Sequence, residues 1–236
     1  APELELMPAD TSVDQFGVTI AYLEGQAFSF YYAENLERLR AAGVHLVPVD
    51  PADAGELPEA DGLYIGGGFP EVHASSLGAN TEFTASVRAR VEAGMPVYAE
   101  CAGLMYLARE LVVDGIAHPM AGVLDLVVEQ RPTPQGHGYE VAVADRDNAF
   151  FPAGTRLVGH EFHYSRVVSG EDLDRCVLRV ERGTGIGDSR DGIFSGRVFA
   201  SYLHLHAGAS PGWADGFLSL AAKFAAERDG STAACG

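Results

Sequence analysis

Apolar positions in the first half of the chain fall into two alternating patterns. GVTIAYL (17–23), VHLVPV (44–49), ADGLYIGGG (60–68) and PVYAE (96–100) are short, nearly unbroken apolar runs bounded by turn residues. Such runs predict strands buried on both faces. Between them, FSFYYAENLERLRAAG (28–43) sets Tyr32, Leu36 and Leu39 at helical spacing, with Gly43 as a stop. Residues 80–94 set Phe83, Val87 and Val91 four apart, and AGLMYLARELV (102–112) puts Leu104, Leu107 and Leu111 on one side of a helix. This β-α-β-β-α-β-α order predicts a mostly parallel sheet covered by helices on both faces.

After residue 115 the pattern changes. VLDLVVEQ (123–130), GYEVAVAD (138–145), TRLVGHEFHYSRVV (155–168), CVLRVER (176–182) and VFASYLHLH (198–206) read as strands separated by Gly, Pro and Asp turns. WADGFLSLAAKFAAE (213–227) closes the chain as an amphipathic helix. Residues 1–16 lack periodicity and read as a linker, 17–230 as one α/β domain with added antiparallel strands, and 231–236 as a tail.

Charge narrows the partners. Sixteen Lys+Arg against 33 Asp+Glu give a net charge of −17, which argues against nucleic acid or an anionic membrane. No apolar stretch approaches the ~18–20 residues of a bilayer-spanning helix, and APELELMPAD is not a secretory signal. Cys101, Cys176 and Cys235 are too few for a disulfide framework and lack CxxC spacing. A cytoplasmic location with reduced thiols is the expectation.

Chemistry gathers at Pro96-Val97-Tyr98-Ala99-Glu100-Cys101-Ala102-Gly103. A Cys between a buried strand and a helix sits on a tight turn beside the first helical N–H groups, which favour thiolate. The following N–H can also face a developing oxyanion. Position alone leaves open that Cys101 is a small buried hydrophobe. A thiol nucleophile needs a base, and of eight histidines His204 and His206, at the end of the last strand run, stand where an α/β crevice forms. Gly66-Gly67-Gly68 could make an oxyanion or phosphate loop, or a plain turn. Neither GxxxxGK[ST] nor GxGxxG after the first strand is present, so no nucleotide site is visible. In GHEFHYS (159–165), alternation puts His163 with Glu161 and His160 opposite; a pocket wall fits better than a metal site, and no metal is expected.

Taken in order, GGGFPE, VYAECAGLMYL, DNAFFPAGTRLVGHEFHYSR and ASYLHLH resemble the glutaminase domain of the cobyrinic acid a,c-diamide synthases, a branch of the class I glutamine amidotransferases. The resemblance covers about residues 17–207 and implies a flavodoxin-like amidotransferase sheet. It further implies that Cys101 attacks the amide of glutamine, that His204 activates it, and that Ala102 N–H with a glycine of the turn (Gly67 or Gly68) holds the oxyanion. Glu71, Tyr139, His160, Glu161, His163 and His206 are possible pocket residues. The wider superfamily carries an acid two residues after the catalytic His; here that position is His206, so no triad Glu is carried over. ATP and Mg²⁺ would act on a partner synthetase domain or subunit, with no cofactor in this chain and ammonia as its product. A different Cys-dependent amide hydrolase and a silent regulatory module are the competing expectations.

Overall fold

A computed structural model describes the chain from Phe16 to Ala233. The apolar runs of the first half become β1 (Thr19–Leu23), β2 (His45–Val49), β3 (Gly62–Ile65) and β4 (Val97–Glu100). They are joined through α1 (Ala33–Ala41), α2 (Ala74–Ala79) and α3 (Thr81–Glu92) and pair in parallel as β2-β1-β3-β4. Alternate side chains of these strands enter two cores. Ile20, Tyr22, Tyr64 and Tyr98 pack with Leu39, Trp213 and Phe217, while Leu23, Ile65, Val97 and Ala99 pack with Leu77, Phe83, Val87 and Leu104. Burial on both faces is why β1, β3 and β4 are apolar throughout, whereas β2, expected to be covered likewise, is the edge strand and leaves His45 and Pro48 exposed.

α4 (Ala102–Leu107) follows β4, and then come β5 (Ala108–Val113), β6 (Ile116–Pro119), β7 (Leu124–Gln130), β8 (Gly136–Ala144), β9 (Arg156–His163) and β10 (Ser165–Ser169). The remainder is β11 (Cys176–Arg182), β12 (Arg190–Ser195), β13 (Val198–Ser201), β14 (His204–Leu205) and α5 (Asp215–Ala233). β13 lies parallel beside β4 and extends the sheet through antiparallel β12, β11, β8, β9 and β14 to ten strands. A second, four-stranded sheet has the order β10-β7-β5-β6. The α/β class with antiparallel additions is therefore as expected.

Several elements differ from the sequence reading. The helix expected over 28–43 starts only at Ala33; Phe30 instead bridges Gly67 in antiparallel fashion, with N···O distances of 3.0 and 3.1 Å each way. Aromatic-rich FSFYY satisfies its backbone against the glycine turn, and this beats the helical spacing. The helix expected over 102–112 stops at Leu107, because residues 108–113 pair with β6 and β7. The strand expected over 155–168 divides at Tyr164 between the two sheets, and that over 198–206 breaks after Ser201. α2, β6 and β12 were not expected. Phe16 packs on the core and its N–H donates to Ala42, so it belongs to the domain. The rest of the linker reading lies outside the described residues, and α5 runs through residues 231–233 of the expected tail. Among the described residues no helix is long and apolar enough to cross a membrane.

Candidate active site

Cys101 occupies the turn between β4 and α4 with φ 48° and ψ −94°, a conformation that is strained for any residue with a Cβ. Its N–H donates to Ser201 O at 2.7 Å and its carbonyl accepts from Met105 N at 3.1 Å, so both flanks of the turn are pinned. Gly103 is required beside it, since a Cβ there would come within 2.6 Å of Ile65 O. The thiol is buried and donates to Phe162 O at 3.8 Å. The expected thiolate is not favoured. Burial first, and the Glu71 charge second, push the Cys101 thiol up to about 12, against the opposing Ala102 N–H. A six-residue helix end is too small to outweigh that desolvation.

His204 arrives on β14, in register with His160 of β9. The two rings stack with centroids 4.7 Å apart and planes 10° apart, and His160 Nδ1 lies 2.8 Å from Tyr32 OH. Burial, then the neighbouring His160 and His163, push His204 down to about 3, leaving a neutral imidazole. Its Nδ1 is 4.0 Å from Glu100 Oε2. That carboxylate accepts from Tyr98 OH at 3.0 Å, Tyr64 OH at 3.2 Å and Leu205 N–H at 3.1 Å, and burial raises it to about 7 despite these donors. An acid does stand against the histidine, contributed by the residue before the nucleophile.

A cavity of about 120 Å³ is lined by Cys101, His204, Glu100, Gly68, Phe69 and Tyr32, among others. An adjoining smaller pocket shares Gly68, Phe69, Cys101 and Phe162 with it and adds Glu71, Met105, Gln130 and His163. Of the two glycines expected to serve the oxyanion, Gly67 is corrected: its N–H is bonded to Phe30 O. Gly67 has a different use, because a Cβ there would meet His204 Cε1 at 2.5 Å. Gly68 N–H makes no hydrogen bond to another described residue and sits at the cavity with Cys101.

The remaining expected residues divide. Glu161 accepts from Thr184 N–H at 2.6 Å and Gly185 N–H at 2.9 Å and faces His163 Nε2 at 3.5 Å, so it braces a turn. His163 stacks on Tyr202 at 3.6 Å and donates from Nδ1 to Ser165 O. Tyr139 is exposed and lines an open groove with His160. His206 is the misplaced one. It lies outside β14, beyond the Tyr32 ring, 3.7 Å from Glu34, and does not line the Cys101 cavity. The strand ends at Leu205, so His206 does not follow His204 into the crevice expected at the strand end. Among the described residues no three His, Cys, Asp or Glu side chains form a group able to hold a metal.

Sequence reasoning missed Glu100 and Tyr32. An acid closing a wholly apolar strand was a readable signal, because a buried carboxylate demands partners. The spacing of Tyr32 with Leu36 and Leu39 points only to an apolar helix face, and nothing local marks its hydroxyl for His160.

A family model for the CobB/CobQ-like glutamine amidotransferase domain matches residues 19–212. The cobyrinate a,c-diamide synthase of Magnetococcus marinus is 43% identical over 197 residues, covering 84% of this chain and 42% of that protein. The chain thus spans less than half the length of the curated relatives it matches. Among solved structures, PurLQS from Thermotoga maritima aligns with TM-score 0.61 at 17% identity over 86% of this chain and 96% of that one. A structure described as a glutamine amidotransferase aligns with TM-score 0.60 at 23% identity over 86% and 98%. At these identities the likeness shows the fold, that of the class I glutamine amidotransferases.

Proposed function

Since the chain belongs to the CobB/CobQ-like glutamine amidotransferase domain family, we propose that it hydrolyses glutamine at Cys101 and supplies the ammonia for amidating the a and c carboxylates of a cobyrinic-type tetrapyrrole in cobalamin biosynthesis. ATP and Mg²⁺ would act on the synthetase portion that its longer relatives carry, and the work belongs in the cytoplasm. The reading is carried by one juxtaposition. A nucleophile on a strained turn, a neutral imidazole and a buried carboxylate surround a single cavity.

Cys101 Sγ attacks the side-chain carbonyl carbon of glutamine while its proton passes to the His204 imidazole. Glu100 faces the imidazolium that forms and stabilises it. The tetrahedral oxygen turns toward the N–H groups of Ala102 and Gly68, which no helix or strand bond consumes. The C–N bond breaks as His204 returns the proton to the departing ammonia, leaving a glutamyl thioester. Water then adds to the thioester with His204 again as base, releasing glutamate and regenerating the thiol. The balance is glutamine plus water to glutamate plus ammonia.

Ammonia and glutamate release from glutamine by the purified chain, alone and with its synthetase partner, tests the reading. Cys101→Ser should abolish release, as should alkylation mapped to Cys101, with the fold unchanged by circular dichroism. Full turnover in the Ser variant would overturn it.

A further inference from the structure

One carboxylate beside the nucleophile has no task in this chemistry. Glu71, in the turn that follows Gly68, lines the smaller pocket with Cys101, Met105 and Gln130. The other acids nearby are committed. Glu100 is held by Tyr64, Tyr98 and Leu205, and Glu161 by the amides of Thr184 and Gly185. Among the described residues Glu71 pairs with no cation within 4 Å and takes no hydrogen bond from another residue. It is partly buried, and that burial holds its carboxyl above the usual range. Its own backbone N–H and the charge of His73 offset this burial only in part, and a desolvated anion without an ion pair is unfavourable unless a ligand brings the opposite charge.

Glutamine brings one. Its α-ammonium stands at the far end of a short aliphatic chain from the amide, and the two pockets share Gly68, Phe69, Cys101 and Phe162 in their linings. We infer that Glu71 is the specificity residue for the amino-acid head of the substrate, receiving the α-ammonium while the carboxamide meets Cys101. This assignment rests on the glutaminase reading. It also gives substrate binding a chemical consequence. The Glu71 charge opposes ionisation of the Cys101 thiol, so an ammonium seated on it removes that opposition only when glutamine is present.

The test measures Cys101 labelling, mapped by mass spectrometry, with the diazoketone 6-diazo-5-oxonorleucine and with its counterpart lacking the α-amino group. Wild type should favour the amino reagent by about 30-fold or more. Glu71→Gln should bring the two rates within a few-fold, chiefly by slowing the amino reagent. Neutral iodoacetamide should label the Glu71→Gln protein as fast as wild type or faster, because a charge opposing the thiolate has gone; this also shows that the variant is folded. An unchanged preference in Glu71→Gln, or equal slowing with all three reagents, would overturn the assignment. If wild type hydrolyses glutamine while the preference is unchanged in the variant, only the Glu71 assignment fails. If wild type neither hydrolyses glutamine nor prefers the amino reagent, the glutaminase reading fails with it.

Discussion

Glu100 and His204 set what Cys101 can do, and the two side chains face each other at 4.0 Å. The imidazole, held near 3, is a free base at any physiological pH and can accept the thiol proton. The carboxylate, near 7, is the group whose charge changes in the working range. As pH falls through that value Glu100 becomes protonated and no longer stabilises the imidazolium of the transition state. Glutaminase kcat should therefore drop on the acid side of about pH 7. Glu100→Gln should lower kcat by about a hundredfold, leave KM for glutamine within a few-fold and erase that acid limb. A pH profile of kcat for both proteins checks this, and an unchanged limb in the variant would remove Glu100 from the mechanism. Tyr64 and Tyr98, both buried to the hydroxyl, fix the carboxylate from below.

At the scale of elements, His204 rides on a segment that the sheet ladder alone does not hold. Buried side chains take its backbone N–H groups in turn. Asp191 accepts from Tyr202 at 3.1 Å and Leu203 at 3.2 Å, Glu100 from Leu205 at 3.1 Å, and Asn35 from Ala207 at 2.8 Å. Asn35 also donates to Leu205 O at 2.7 Å. Buried backbone groups are almost always satisfied, and here the satisfaction is delegated to side chains from three other elements. Asn35→Ala removes its bonds to Leu205 and Ala207 and should destabilise the fold by about 1–3 kcal/mol and lower kcat more than it raises KM. Thermal melts with steady-state kinetics read both, and an active variant with only a lowered Tm would make Asn35 a purely structural clamp. This explains how much was legible beforehand. The parallel half could be read because β1, β3 and β4 are covered on both faces and apolar without interruption, and the edge strand β2 keeps the same run with only one buried end. Cys101 and Gly68 could be read because turns have local signatures. Leu104, Leu107 and Leu111 misled because their spacing fits a helix, while the pairing of residues 108–113 with β7 is decided by partners far along the chain. Asn35 and Asp191 were invisible because their partners lie beyond any local window.

Across the whole molecule, the acidic balance extends into the interior. Glu140 is fully buried beside Asp191; burial first, then the Asp191 and Glu161 charges, push it up to about 11, and burial pushes Asp191 up to about 6. Glu140 is therefore a neutral acid at neutral pH. Its folded pKa exceeds its unfolded one, so it favours the folded state below the ordinary glutamate range and costs stability progressively as pH rises toward 11. Glu140→Gln keeps the shape and removes that cost. Calorimetry should show the variant melting above wild type at pH 8, with the gap closing toward pH 5; a gap independent of pH would contradict the assignment.

The clamps on His204 also fix when the chain can become active. Asn35 reaches across 170 and 172 residues to Leu205 and Ala207, and Glu100 across 105 to Leu205. Closing contacts of such sequence separation costs more loop entropy than forming a local helix or pairing neighbouring strands. α4 is local and can form early, but the turn that carries Cys101 is itself pinned to Ser201 O, and the imidazole has no place until residues from both ends of the domain have met. On the glutaminase reading, the thiol, its base and the facing carboxylate therefore come together only when the architecture that houses them is complete.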